Sequence, residues 1–461
     1  MSTSTATMNV DDEPMIELPT RWGEATTTSA AMSAQYMPAQ YMDAPVSELV
    51  RWWTRFSDPL LSSLVEQALL RNVDVRRAEA DRRRARAVRE QRSALLWPVL
   101  DASADVRRDA NSNERYSAAL DSSWEIDLLG GIRAAVRSSD ALAGASGVTL
   151  DDVRVSIAAE VVIDYVALRA AQGRVVIATT NASVQGETLQ ITRWRQQAGL
   201  VTALETAQGT AALAQTLAQR DALAREVEVD MHALAVLTGA APAALNAQLD
   251  TRAGVPAVPA VAGGIVFGVP ADTLRQRPDV RAAQLLVEAA QADVEQAVAA
   301  RFPALRLSGS IGVSAATTSG LSAGDALLRA LLASLSVPLF DGGERRATVR
   351  VQEAALAGAR VDYVAAVLIA LQDVEDVLSS MRGDRARLVH LREAAQSAGV
   401  AALLARQRYG SGLIDFLTVL DTQRTQLATQ DAVVAAEGNV GIDHARLFKA
   451  RGGGWSEEAT Q

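Results

Sequence analysis

The sequence predicts a mainly α protein with a small β part, in which one helix–strand–strand–helix unit occurs twice in tandem. Three observations predict it. The 461 residues are 49 % hydrophobic but only 4 % aromatic, a composition that favours long helices with closely approaching faces. Sliding residues 72–103 by 205 positions lays them on 277–308 without a gap, with Asp74, Val75, Arg76, Glu90, Gln91 and Pro98 among the identities. In each copy a helical pattern runs into a proline, as in "ARFPALRLSGSIGV" at 300–313, and strand-like alternation begins at once.

Composition also excludes several functions. Lys and Arg number 45 against 54 Asp and Glu, a formal net charge of −9, which argues against a nucleic-acid surface. Arg82, Arg83 and Arg84 read instead as a solvated helix face. The absence of cysteine excludes disulfides and thiolate metal sites. His232, His390 and His444 are scattered, so no zinc site, no histidine-based triad and no cofactor is expected. No run of about 20 apolar residues suggests a membrane helix. The best candidate, "AGVPAVPAVAGGIVFGVP" at 253–270, carries three prolines and reads as a linker. The N-terminus shows neither a basic n-region nor a long apolar h-region.

The expected organisation is an irregular arm (1–57), a first repeat (58–240), an inter-repeat linker (241–271), a second repeat (272–450) and a short tail (451–461). In the first repeat a helix over 60–97 stops at Pro98, where the backbone loses a donor. Strands follow at about 99–107 and 116–127, then a long helix over 131–198 and a return helix. The second repeat has its first helix over 272–302, strands at about 304–314 and 331–340, and a long helix over 343–409. "DLLGGIRAAVR" at 127–137 matches "LFDGGERRATVR" at 339–350, and Gly199-Leu200 matches Gly412-Leu413. In the long helix Val153, Ile157, Val161, Tyr165 and Leu168 recur every three or four residues. At 1.5 Å per residue such a helix is about 100 Å long, which points to coiled-coil packing. Two shorter helices end to end span a similar length, so the short pair is expected to stack alongside the long one.

The strands alternate sharply. Leu100, Ala102, Ala104 and Val106 share one face and Asp101, Ser103 and Asp105 the other. Leu305, Leu307, Ile311 and Val313 oppose Arg306, Ser308 and Ser310. The return strands repeat the pattern with Leu120, Trp124 and Ile126, and with Ala333, Leu335, Val337 and Leu339. Segments of about nine to eleven residues are long enough to cross a bilayer as tilted strands, although a half-exposed soluble hairpin would alternate in the same way. Four strands cannot close a barrel and an open edge is not tolerated in lipid. A membrane reading therefore demands several copies, and three would give twelve strands.

"RWWTRFSDPLLSSLVEQAL", "SSWEIDLLGGIR", "LRQRPDVRAAQ", "ARFPALRLSGSIG", "SVPLFDGG" and "RYGSGLIDFLTVLDTQRTQL" together resemble the outer-membrane efflux factors related to TolC, in the OprM/NodT-like branch. The likeness covers about 50–450. It implies a homotrimer whose twelve-stranded β-barrel in outer-membrane lipid continues into a long α-helical periplasmic barrel. It also implies a passive, non-enzymatic exit duct that conducts drugs and toxic compounds, joined by a periplasmic adaptor to an inner-membrane efflux pump. The sequence departs from the branch in lacking a signal peptide and a cysteine for lipidation. Because "ELPTRW" resembles the family's mature arm, a shortened N-terminus is the expected explanation.

The resemblance also assigns residues. In "DFLTVLDTQR" it places rings of leucines and aspartates at a periplasmic gate, here Leu417 and Asp421, four apart and so on one helix face. Three clustered carboxylates would raise one another's pKa and attract cations. The first repeat offers Leu204 and Gln208 in the matching places. Asp415 is a further gate candidate, with helix capping as its simpler role. Gly199, Leu200, Gly412 and Leu413 fall at the helix breaks, where the adaptor would dock. Read without the resemblance, Leu417 fits an ordinary coiled-coil core position as well as a gate, and Asp421 a solvated surface acid as well as a gate. The alternative reading of the whole chain is a soluble, elongated coiled-coil scaffold.

Overall fold

The computed structural model describes residues 7–8, 16–17, 51–108, 114–250, 257–261, 277–322 and 327–453. Most of the expected arm, most of the linker, residues 272–276, parts of both loops between strands and the tail beyond 453 lie outside the described residues.

The first helix is two helices. Helix α1 (Pro59–Arg71) starts with Pro59 at its first position, and Asp58 Oδ1 accepts from the amides of Leu60 and Leu61 at 2.9 and 3.0 Å. Helix α2 (Val73–Ala94) begins again after Asn72. The uninterrupted helix expected over 60–97 is thus corrected. Asn72 leaves helical geometry at ψ 138°. Its side chain serves two other groups: Oδ1 accepts from Asp74 N at 2.8 Å, and Nδ2 donates to Leu237 O at 2.9 Å. Before Pro98 the helix tightens into three-residue turns, with Leu96 N donating to Ser93 O and Trp97 N to Ala94 O, so the strand starts directly after the proline.

Strands β1 (Val99–Arg108), β2 (Glu114–Ile126), β3 (Ala304–Ala315) and β4 (Leu327–Ser336) form one antiparallel sheet in chain order, leaving β1 and β4 as its edges. The register puts Ala102, Leu120, Ile311 and Arg329 in one row, and Leu307 opposite both Trp124 and Ala333. The expected apolar face is therefore continuous across the sheet, apart from Ser122 and Arg329. The last strand lies four residues earlier than expected at 331–340. Val337 and Leu339 fall outside it because Val337 precedes Pro338, which has no N–H to donate to the ladder. The opposite face pairs Asp101 with Asp121 and carries the Arg306–Glu125 ion pair at 3.4 Å. It also bears Leu328 and Leu332, which pair with Gly312 and Ser308.

Helix α3 (Gly131–Gln197) is followed by α4 (Ala203–Leu237), and α5 (Pro278–Ala299) precedes the second hairpin. Helices α6 (Glu344–Gly410) and α7 (Phe416–Ala450) complete the chain. The two long helices have 67 residues each and the two that follow them 35 each. Each long helix is capped from the preceding strand's exit. Asp127 accepts from Ile132 N and Arg133 N, and Asp341 from Gly343 N and Arg345 N. This gives the repeated Asp and Gly-Gly pattern its physical reason.

Helix α3 packs on α2 and α5 in its upper half and on α4 and α7 in its lower half, whereas α6 packs on α5 above and α7 below. The helices form one layer, with α6 at one margin and α2 and α4 at the other. Helix α6 also corrects the expectation that no helix is apolar and long enough to cross a membrane. It contains such a stretch by length and composition, mostly unburied within the chain. The helix lies at a margin of the layer: Val361, Leu368 and Ile369 are exposed on its free side, while Tyr363, Val367 and Ala370 are buried.

The principal core joins the first and last parts of the chain. Trp52, Trp53 and Phe56 pack with Leu61, Leu64, Tyr165, Leu234 and Phe448, and Trp52 stacks on Phe448 with centroids 4.9 Å apart. Helix α4 ends at Gly239, whose φ is +71° and whose added Cβ would lie 2.6 Å from Arg71 O. Gly239→Ala should therefore cost at least about 1–2 kcal/mol for the left-handed backbone, before any displacement of α1. Gly186→Ala, in a helical position with open space around it, should gain up to about 1 kcal/mol. Thermal unfolding of the two variants tests the contrast.

Candidate functional site

At the end of the helical layer remote from the sheet, α3 turns into α4 and α6 into α7 through matching caps. Leu200 N donates to Arg195 O at 2.8 Å and Gly199 N to Gln196 O at 2.9 Å; Leu413 N donates to Arg408 O and Gly412 N to Tyr409 O, both at 2.9 Å. This double bond pattern needs a left-handed residue, and Gly199 and Gly412 supply it at φ +74° and +76°. Gly410 is still helical, so Gly412 makes the second break. The following leucines stand clear of the protein, Leu200 at 72 % and Leu413 at 73 % exposure.

Three of the five gate candidates meet. Gln208 on α4 and Leu417 and Asp421 on α7 line a groove of about 540 Å³ together with Gln215, Leu420 and Arg424. Leu204 stands one turn before Gln208, and Leu204 and Leu417 are 65 % and 60 % exposed. Asp415 does not join them. Its Oδ1 accepts from Thr418 N at 2.9 Å and from the Thr418 hydroxyl, and these bonds hold its carboxyl below the usual carboxylate range. The carboxylate is committed to capping α7.

The groove is backed by a small core. Tyr409, Phe416, Val419 and Leu420 pack together, the Tyr409 and Phe416 rings are 5.5 Å apart, and the Arg195 guanidinium lies 4.6 Å above the Tyr409 ring. Further along, Arg174 on α3 donates to both carboxylate oxygens of Asp431 on α7 at 2.8 and 3.1 Å. That bond raises the Arg174 pKa further. Sequence reasoning singled out none of Arg195, Tyr409, Arg174, Asp431 or Arg424. Only Arg424 had a signal, its spacing of three from Asp421. The others pair across sequence distances that no local pattern encodes.

Phe416 is 2 % exposed. Phe416→Ala should therefore cost about 3–5 kcal/mol and loosen the α6–α7 turn, seen as faster limited proteolysis between 410 and 416.

Two acids sit between α3 and α4. Burial, reinforced by Glu160, pushes Asp164 up to about 6, and burial with Glu226 and Asp164 does the same to Asp230. An acid whose pKa is higher folded than unfolded binds more protons in the folded state, so the stability it contributes is present at low pH and lost as pH rises from about 4 through about 6. Asp164→Asn and Asp230→Asn should each raise the Tm at about pH 7.5 and leave it nearly unchanged at about pH 4, measured by thermal scans at both pH values.

With this geometry in hand, comparison with known proteins identifies the chain. The family model for outer membrane efflux proteins matches residues 64–240 and 269–453. The chain belongs to this family. It is 32 % identical over 449 residues to the pyoverdine export outer membrane protein OpmQ of Pseudomonas aeruginosa, covering 92 % of this chain and 91 % of that one. It is 27 % identical over 440 residues to nodulation protein T of Rhizobium leguminosarum bv. trifolii, covering 92 % and 93 %. The solved structure of the outer-membrane channel OprN superposes with a TM-score of 0.83 at 36 % identity, over 88 % of this chain and 93 % of that chain. This efflux protein is an outer-membrane channel that reaches into the periplasm.

Proposed function

We propose that three copies close into one passive duct, the exit stage of a tripartite efflux pump, which a periplasmic adaptor links to an inner-membrane transporter. One observation carries this reading. The four-stranded sheet ends in two unpaired edges, β1 and β4, and its continuous apolar face includes exposed Leu100, Leu120, Leu331 and Leu335. Neither an unsatisfied edge nor such a face is stable alone. Joining β4 of one copy to β1 of the next satisfies both and gives twelve strands. The same cyclic step would bring the apolar free side of α6 against α2 and α4 of a neighbour, a heterologous contact that closes into a ring.

A tandem duplication underlies the protomer in this proposal. It is supported by the equal helix lengths and by the pairing of Asn72 with Leu237 O and of Arg277 with Ala450 O, which are corresponding positions in the two repeats. The soluble-scaffold alternative leaves the apolar sheet face without a partner.

In the trimer, Leu417 and Asp421 would form rings at the periplasmic gate, with Leu204 and Gln208 completing a pseudo-sixfold constriction. Asp415 would act there only through the helix start that it caps. Gly199, Leu200, Gly412 and Leu413 would form the adaptor-docking tip, their leucines supplying apolar anchors. The duct would carry small molecules, drugs and toxic compounds among them, without chemical conversion. Leu417→Ala combined with Asp421→Ala should raise single-channel conductance in planar bilayers and reduce cation preference. Unchanged conductance and selectivity would count against this gate.

A further inference from the structure

The helical layer has two seams where stacked helices meet end to end. At the first, Asn72 on the upper side captures Leu237 O at the end of α4. At the second, Arg277 Nη1 donates to Ala450 O at the end of α7 at 3.0 Å. The two joints then diverge. The first is plugged by the buried side chains of Trp52, Trp53, Phe56, Leu61 and Leu64. The second holds a cavity of about 370 Å³ with Asp152, Arg277, Asp376, Asp443, Arg446 and Lys449 in its walls.

The cavity is polarised towards cations. Arg277 is already neutralised twice over, by Asp279 at 2.7 Å and Asp373 at 2.9 Å. Arg446 and Lys449 are exposed to solvent, which screens them. The Asp443 side chain is only 2 % exposed. Its Oδ2 has no hydrogen-bond partner, and its Oδ1 is 3.9 Å from Arg446 Nη1, beyond hydrogen-bond reach. Asp443 lines the cavity, and a buried carboxylate oxygen without a donor is a costly arrangement that an N–H donor would relieve. Burial and the neighbouring Asp384 push Asp443 up to about 6, against the opposing Arg446 and Arg385, and burial also raises Asp152. Among the described residues no three acidic or imidazole groups converge to hold a metal ion. The volume falls within the range of small-molecule sites.

We propose that this second seam binds a small organic polyamine, whose ammonium donates to Asp443 Oδ2 in the cavity that Asp152 and Asp376 also line. The residues named here all belong to one chain. The test is calorimetric titration of the full-length, detergent-purified protein with spermidine at about pH 7.5. The expected result is saturable binding that Asp443→Asn weakens by a factor of about 10–100, the worth of one charge-assisted hydrogen bond. Asp152→Asn should weaken it less, and Lys449→Ala should tighten it by removing a competing cation. Where Asp443→Asn does not fold, the opposite shifts of the other two variants carry the test. Absence of spermidine binding, an unchanged affinity in Asp443→Asn, or unchanged affinity in both other variants would overturn the proposal. Competition by Mg²⁺ at equal concentration would overturn the assignment to an organic cation.

Discussion

The architecture hangs on the capture of two helix-end carbonyls, Leu237 O by Asn72 and Ala450 O by Arg277. A 67-residue helix is too long to be matched by a single shorter neighbour, so each must be accompanied by two helices in series. A helix end buried beside another helix start leaves carbonyls without partners. Supplying a side-chain donor at each joint lets the short helices stack as a nearly continuous rod. Once that is done, α3 can be flanked along its whole length, and sheet and tip are held at opposite ends of the same layer.

Electrostatics are distributed in keeping with that plan. Where packing between long helices is tight, charge enters as matched pairs such as Arg174 with Asp431. Where the layer meets water, acids serve as caps, as at Asp127, Asp341 and Asp415. Asp164, Asp230 and Asp443 depart from both patterns, since each is a carboxyl raised to about 6 mainly by burial. They mark the places where the layer spends stability on polarity.

The features legible in the sequence were those with local causes. Pro98 and Pro303 stop helices through a missing donor, and Gly199 and Gly412 end them through a left-handed backbone. The shift between repeats pointed to Gln208 and Asp421 as counterparts, and they share one groove. The features that escaped had distant causes. Asn72 reads as an ordinary polar helix residue, because the carbonyl it serves is 165 positions away. The start of β4 was hidden because Leu327, Leu328, Leu331 and Leu332 leave the alternation ambiguous. The Arg195–Tyr409 stack exists only once two long helices lie side by side.

The stack of Trp52 on Phe448 bears on how the chain comes to be folded. The N-terminal aromatic cluster emerges first during synthesis, yet its lid arrives almost 400 residues later, on the last helix. Local helices can form as the chain appears, but the principal core stays unsealed until the end, and contacts of such sequence separation are slow to form. Because the contact that seals this core joins residues at nearly opposite ends of the described chain, closure of the core waits on the last helix.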